Sequence, residues 1–138
     1  MSFVVDNSVA LAWCFEDEQT AGIMALLDRV ADTGAIAPQP WPVEALNGLL
    51  TAERRGRIDR ETRQRLAGFL RQLPIRIDDE TASRSWTETA RIAEQHRLTA
   101  YDATYLELAV RIGAPLATSD AALIAAAEAM GVALLPTG

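Results

Sequence analysis

The sequence contains no lysine, a single cysteine and a single histidine, and each shortage excludes a class of chemistry. Cys14 has no second cysteine with which to form a disulfide, as is typical of proteins kept in a reducing cytoplasm. No apolar run approaches the roughly 18 residues that a membrane-spanning helix needs. The N-terminus also lacks the basic segment and the apolar core of a signal peptide. We therefore expect a cytoplasmic protein without a membrane anchor.

Basic residues are outnumbered by acidic ones, at 13 against 19. The formal net charge is -6 and the isoelectric point is about 4.7, so the chain cannot coat nucleic acid through its overall charge. A hydrophobic fraction of 49% and a length of 138 residues are ordinary for a folded protein with a substantial core. We expect one domain that spans residues 1–138.

Short apolar segments alternate with segments of helical periodicity along the chain. The predicted strands are 3–5, 35–37, 75–77, 115–118 and 132–135. Between them, apolar residues recur at helical spacing, and one such helix is expected to carry Trp86, Ala90 and Ala93 on a single face. Strands that alternate with helices predict an α/β fold of three layers, with a short, mostly parallel central sheet flanked by helices.

Four acids occur where predicted helices begin. Asp6 and Asp120 each follow a predicted strand. Glu44 lies in the first turn of a helix, and Asp102 lies three residues after the cap candidate Thr99. Taken singly, each acid has a structural explanation, because Asp caps helices and an acid in the first turn interacts favourably with the helix dipole, by roughly 0.3–1 kcal/mol.

The four positions together suggest a shared site. Parallel strands end at one edge of a sheet, and the helices that start at that edge bring their first turns to it. Carboxylates gathered there repel one another by about 4 kcal/mol per close pair at an effective dielectric constant of 20. Such a cluster persists if one proton is shared or if a divalent cation neutralises it. Oxygen ligands without a matching set of histidines and cysteines favour Mg²⁺ or Mn²⁺ over zinc.

Four segments, in order along nearly the whole chain, resemble those of PIN-domain ribonucleases, and most closely those of VapC-type toxins of bacterial type II toxin–antitoxin systems. The segments are VVDNSVALAW at 4–13, WPVEALN at 41–47, TAYDATYLELA at 99–109 and LATSDAAL at 116–123. One such segment would carry little weight, because short turns that bear an acid are common. The resemblance implies a PIN-like nuclease domain with the three-layer αβα fold described above.

The resemblance also implies a site and a cofactor. It assigns Mg²⁺ or Mn²⁺ binding and catalysis to four acids, namely Asp6, Glu44, Asp102 and Asp120. Ser8 and Thr118 match hydroxyl positions that support the site in the family. A metal-activated water that attacks the phosphate would leave a 5′-phosphate and a 3′-hydroxyl. Ribonucleases that use a pair of histidines work differently, and this chain has one histidine. We therefore predict metal-dependent hydrolysis of RNA.

The partners are implied in the same way. VapC-type proteins form homodimers and are held inactive by a VapB-type antitoxin, and helices of the 42–73 region take part in both contacts. The arginine-rich segment 54–65 is a separate feature with two interpretations. Its arginines either form a solvated face with helix salt bridges or make a basic rim that holds RNA phosphates.

Other functions stay open at this stage. A phosphoacceptor receiver domain also gathers acids at strand ends, but it places a lysine near the phosphate and this chain has none. A PIN-like scaffold could bind metal and a partner without catalysis. A third alternative is a PIN nuclease that processes RNA and is not a toxin.

Overall fold

The computed structural model describes residues 2–138, which fold around a parallel sheet of four short strands in the order β3-β2-β1-β4. The strands are β1 (Val4–Val5), β2 (Ala35–Ala37), β3 (Ile75–Ile77) and β4 (Leu116–Ala117). Helices flank the sheet, so the predicted three-layer α/β fold is confirmed. None of the helices within residues 2–138 has the length and the apolar composition that crossing a membrane demands.

Eight α-helices are assigned within the described residues. They are α1 (Asn7–Ala12), α2 (Ala21–Thr33), α3 (Trp41–Arg54), α4 (Arg60–Gln72), α5 (Thr81–Arg84), α6 (Ala90–His96), α7 (Ala100–Ile112) and α8 (Ala121–Met130). A 3₁₀ turn at Glu16–Glu18 follows α1, and a π-helical turn at Ser85–Thr89 joins α5 to α6. Helix α1 packs on α3, and α7 packs on both α6 and β1.

The sheet forms the centre of the core and sets the position of the acids. Val4 pairs with Ile36 on one side and with Leu116 on the other, and β-branched and leucine side chains fill both faces of the sheet. Because all four strands run in the same direction, their carboxyl ends meet at one edge. Asp6 directly follows β1, and Thr118 directly follows β4, at this edge.

Several helix boundaries agree with the sequence signals. The Thr99 hydroxyl accepts a hydrogen bond from the Asp102 amide at 3.1 Å, and Asp120 caps α8 in the same manner. Helices α2 and α7 end at Gly34 and Gly113, which have φ angles of 75° and 66°. Side chains disfavour such left-handed backbone, and glycine therefore ends these helices without strain.

Two expectations about local structure are wrong. Trp86, Ala90 and Ala93 do not form a buried face, because Trp86 is 91% exposed, Ala90 is also exposed and Ala93 is only partly buried. The π-helical turn inserts extra chain between α5 and α6, and this shifts the inward face to other residues such as Thr89 and Ile92. The predicted last strand, 132–135, is reduced to a single bridge between Leu134 and Leu116.

Candidate metal centre

Asp6 lies at the end of β1 and is held by two hydroxyl groups. Its Oδ2 accepts hydrogen bonds from Ser8 Oγ at 2.6 Å and from Thr118 Oγ1 at 2.8 Å. Only 4% of the residue is exposed. Asp6 is also the N-cap of α1, because the same oxygen accepts from the Ser8 amide at 3.3 Å. The carboxylate is therefore fixed in one orientation at the carboxyl edge of the sheet.

The two hydroxyl groups also join neighbouring strand ends. Ser8 Oγ accepts a hydrogen bond from the Ser119 amide at 3.0 Å, and Thr118 Oγ1 accepts one from the Asp120 amide at 3.0 Å. Each hydroxyl thus donates to Asp6 and accepts from the turn after β4. Ser8 and Thr118, both predicted as supporting residues, contact Asp6 directly.

Glu44 enters the same region from the first turn of α3. Its Oε1 accepts a hydrogen bond from the hydroxyl of Tyr105 at 2.8 Å. Tyr105 lies on α7 and is fully buried. Sequence reasoning did not assign Tyr105 a role in the site. The usable signal was its position three residues after Asp102, which puts both side chains on one side of the helix.

The pKa values of the acids show that they share one electrostatic environment. Burial raises the pKa of Asp6, and the bonds from Ser8 and Thr118 oppose that rise. Burial also raises the pKa of Glu44, and the negative charges of Asp6 and Asp102 raise it further. For Asp102, burial is again the largest cause, followed by the charges of Asp6 and Asp120.

Asp120 has two interactions. Its Oδ1 accepts a hydrogen bond from the Leu123 amide at 3.0 Å and so caps α8. Its charge also contributes to the raised pKa of Asp102. Within residues 2–138, no arginine or histidine forms an ion pair with any of the four predicted acids. The charges of the four carboxylates thus affect one another, and none of the arginines or the histidine in the described part of the chain pairs with them.

Comparison with known proteins identifies the family of this fold and site. The sequence matches the family described as PIN domain over residues 3–137. The chain belongs to the PIN domain family. Members of this family are generally nucleases, and a site that brings acids together suits that chemistry. A search of curated proteins gave no match to the sequence.

Two solved structures share the fold of this PIN domain. PAE2754 from Pyrobaculum aerophilum superposes with a TM-score of 0.67 at 24% identity, over 91% of this chain and 79% of that chain. FitAcB from Neisseria gonorrhoeae superposes with a TM-score of 0.68 at 17% identity, over 98% of this chain and 97% of that chain. At these identities the comparisons establish the fold alone.

A second group of acids in this PIN domain follows β3. Asp78, Asp79 and Glu80 each bring a carboxylate oxygen within 4.8 Å of the others, a spacing that could hold a metal ion. In the described part of the chain, no three of the four predicted acids approach one another that closely. The consecutive trio at 78–80 is therefore an alternative metal site.

Arginines already pair with two acids of the trio at 78–80, Asp78 and Glu80. Arg111 donates to both oxygens of Asp78, at 3.1 and 2.7 Å, and Thr81 donates to it at 3.0 Å. The bond from Arg111 is the main cause that holds the pKa of Asp78 below its usual range. Glu80 forms ion pairs with Arg111 and Arg84. A metal ion at this trio would compete with these arginines, whereas no arginine or histidine among residues 2–138 forms an ion pair with the four predicted acids.

Two arginines of the arginine-rich segment 54–65 form ion pairs with neighbouring acids. Arg57 forms ion pairs with Asp17 and Glu18, and Arg63 forms one with Glu53. These two arginines follow the salt-bridge interpretation. Contact of the remaining arginines with RNA stays a prediction.

Proposed function

We propose that this PIN domain is a cytoplasmic, metal-dependent endoribonuclease and that it acts as a VapC-type toxin. The observation that carries the proposal is the set of four acids at one sheet edge, where burial and neighbouring negative charges raise the pKa values of Glu44 and Asp102. Within residues 2–138, none of the four forms an ion pair with an arginine or histidine. Assembling such a group costs folding free energy through mutual repulsion. A catalytic role that needs a divalent cation accounts for that cost.

The residues fit a hard divalent cation. Asp6, Glu44, Asp102 and Asp120 would hold it, since carboxylate oxygens are the ligands that Mg²⁺ and Mn²⁺ prefer. The number of ions, one or two, does not alter the assignment of the ligands.

The surrounding side chains have positioning roles in this proposal. When bound, the cation supplies Lewis-acid stabilisation of the phosphate and lowers the pKa of a water. Ser8 and Thr118 orient Asp6 by donating to one of its oxygens. Tyr105 orients Glu44, and burial together with the neighbouring negative charges raises the pKa of Tyr105, so its hydroxyl remains a donor. Hydrolysis by water predicts a 5′-phosphate and a 3′-hydroxyl.

A partner surface supports the toxin part of the proposal. An apolar cavity of about 320 Å³ lies between α3, α4 and β3. Its lining includes Leu46 and Ile77, which are 43% and 36% exposed. β3 is the outer strand of the sheet, so its free edge adjoins this surface. We propose that a VapB-type antitoxin and a second copy of the chain bind in this region.

The nuclease proposal is tested with purified, partner-free protein and structured RNA in Mg²⁺, Mn²⁺ or EDTA. We expect cuts that depend on the metal, leave a 5′-phosphate and disappear in Asp6→Asn. Asp79→Asn is the matched control, because it makes the same change at an exposed acid in the 78–80 trio, and it should cut like the wild type. Cyclic-phosphate products, or full activity in excess EDTA, would contradict the proposal.

The toxin assignment needs a separate test in cells. Expression in a bacterial host should arrest growth, and Asp6→Asn should not. Co-expression of an antitoxin encoded beside the toxin should restore growth. Metal-dependent cutting in vitro without growth arrest would favour an RNA-processing nuclease. Absence of cutting on all RNAs, with metal binding retained, would favour a non-catalytic binding module.

A further inference from the structure

An exposed aromatic residue lies at the start of the helix that carries Asp102. Tyr101 immediately precedes Asp102 in the first turn of α7, and 62% of the residue is exposed. Tyr105 lies four residues later, on the same side of the helix, and reaches Glu44 at 2.8 Å. Tyr101 is thus one turn nearer the start of α7 than the tyrosine that contacts Glu44. This position is at the end of α7 that also carries Asp102.

Neither packing nor hydrogen bonding of the Tyr101 side chain accounts for an aromatic residue at this exposed position. Within residues 2–138, the Tyr101 hydroxyl has no hydrogen-bond partner, and the residue lies outside the buried core. Stacking of an aromatic ring on a nucleic-acid base does not require positive charge. It is therefore a contact that a protein with a net charge of -6 can offer to RNA beside carboxylates. A base is an uncharged, flat partner of suitable size for this ring.

An exposed arginine, Arg97, lies in the short connection between α6 and α7 that leads to Tyr101. Arg97 follows α6 in a left-handed conformation, with φ 54° and ψ 42°, and the chain then enters α7 at Ala100. Its side chain is exposed, and no ion pair involves it among the residues that the structure describes. The short connection between α6 and α7 thus carries both a cation and, in the following turn, an exposed ring. Single-stranded nucleic acid is commonly bound by such a combination.

We propose that Tyr101 stacks on a base next to the cleaved phosphate and that Arg97 contacts a flanking phosphate. This inference rests on the proposed ribonuclease function. A base can stack on a protein ring only when it is free of its neighbours in a helix, so the substrate is an unpaired RNA segment such as a loop. Tyr101 is a positioning residue in this account and takes no part in the chemical step.

The stacking contact is tested with single-stranded RNAs that each carry 2-aminopurine at one position, because stacking quenches its fluorescence. In Ca²⁺, wild-type protein should quench the probe at one position near the cut. Tyr101→Ala should abolish the quenching, and Tyr101→Phe should retain it. Trp86→Ala is the control, since Trp86 is an even more exposed ring on the π-helical turn, and it should behave as the wild type.

Cleavage kinetics give a second measurement in Mg²⁺ or Mn²⁺. Tyr101→Ala should raise KM for a loop RNA roughly tenfold, with kcat changed far less, and Tyr101→Phe should restore the wild-type KM. Unchanged KM and retained quenching in Tyr101→Ala, with a wild type that cuts, would overturn the inference and leave the nuclease proposal intact. Quenching that depends on Tyr101 in a protein that never cuts would overturn the nuclease proposal instead.

The role of Arg97 is measured by the salt dependence of RNA binding. Arg97→Gln should reduce the slope of log affinity against log salt by about 0.7, the value for one phosphate contact on a single strand. Arg76→Gln is a matched control, because Arg76 is an exposed arginine on the outer strand β3 and forms no ion pair with any residue in the range 2–138. Equal slopes in Arg97→Gln and the wild type would show that Arg97 does not contact an RNA phosphate.

Discussion

At the scale of single residues, the candidate centre depends on which oxygen each hydroxyl group reaches. Asp6 directs Oδ2 towards Ser8 and Thr118, and Glu44 directs Oε1 towards Tyr105. These bonds favour the ionised carboxylates, and they oppose the effect of burial on the pKa values of both acids. Removing one donor should therefore alter both the orientation and the ionisation of its acid.

Tyr105→Phe tests this balance at Glu44. The substitution keeps the buried ring and removes the hydrogen bond to Oε1, so the pKa of Glu44 should rise further. We expect RNA cleavage to fall roughly tenfold and the acidic limb of the pH profile of kcat/KM to move to higher pH. Tyr101→Phe removes an exposed tyrosine hydroxyl on the same helix and should leave the limb in place. An unchanged limb in Tyr105→Phe would show that Glu44 does not need this bond.

At the scale of structural elements, Arg111 joins α7 to the segment after β3. It donates to Glu107 on its own helix, at 2.8 Å, and to Asp78 beyond β3, at 2.7 Å. Only 13% of the arginine side chain is exposed, against 6% for Asp78 and 3% for Glu107. Loss of one member of such a buried group leaves charges without partners. The network thus holds the helix that carries Asp102 against the sheet.

Arg111→Met should destabilise the fold by about 3–5 kcal/mol, because two buried carboxylates lose their counter-ion. In thermal unfolding at pH 7 we expect Tm to fall on the order of 10 °C. Arg91→Met is the control, since Arg91 pairs with Glu88 at the surface, where an ion pair contributes little. A fall no larger than that of Arg91→Met would contradict the structural role of Arg111.

The same network determines a pH dependence of stability. Arg111 lowers the pKa of Asp78 in the folded state. The contribution of Asp78 to folding stability is therefore present above its unfolded pKa of about 3.9, and it is lost as the pH falls through the folded pKa. The difference in unfolding free energy between wild type and Arg111→Met should therefore shrink below about pH 4. A difference that stays constant down to pH 2 would contradict the assignment.

Local signals predicted most of the elements, and contacts distant in sequence account for what was missed. Thr99 and Asp120 indicated helix starts, and Gly34 and Gly113 indicated helix ends, because capping and positive φ depend on neighbouring residues. The acids could be grouped because parallel strands share an edge. Tyr105 was missed because its partner Glu44 is 61 positions away.

Two further features had no readable local signal. The π-helical turn moves Trp86 outward, and a simple 3.6-residue periodicity does not report an inserted turn. The pairing of Arg111 with Asp78 spans 33 positions and could not be inferred from charge patterning along one helix.

At the scale of the whole molecule, the metal-free domain carries an unfavourable charge group that a cation should relieve. Burial raises the pKa values of Asp6, Glu44 and Asp102, and neighbouring negative charges raise those of Glu44 and Asp102 further. Between the unfolded and the raised folded pKa values, the folded state binds more protons than the unfolded state. In EDTA, these acids should therefore lower the free energy of unfolding as the pH rises from about 4 through their raised pKa values. A divalent cation that binds only the folded state should reverse that loss at neutral pH.

Asp102→Asn should make this reversal visible in thermal unfolding at pH 7.5. In EDTA, Tm should be higher than in the wild type because one repelling charge is gone. In Mg²⁺ or Mn²⁺, the Tm of the wild type should rise by several degrees, because a cation at a hundredfold excess over Kd stabilises the folded state by about 2.7 kcal/mol. The Tm of the variant should rise much less. Asp28→Asn, at an exposed acid on α2, should follow the wild type in both solutions. Equal gains in wild type and Asp102→Asn would contradict a cation site that includes Asp102.

The location of the metal centre is tested most directly by calorimetric titration of Mn²⁺ into the wild type, Asp6→Asn and Asp79→Asn. The two variants make the same substitution in the two acid groups, one beside β1 and one in the 78–80 trio. We predict that the wild type and Asp79→Asn bind Mn²⁺ with similar affinity and that Asp6→Asn loses binding by tenfold or more. Retained binding in Asp6→Asn together with lost binding in Asp79→Asn would move the centre to the trio and contradict the account.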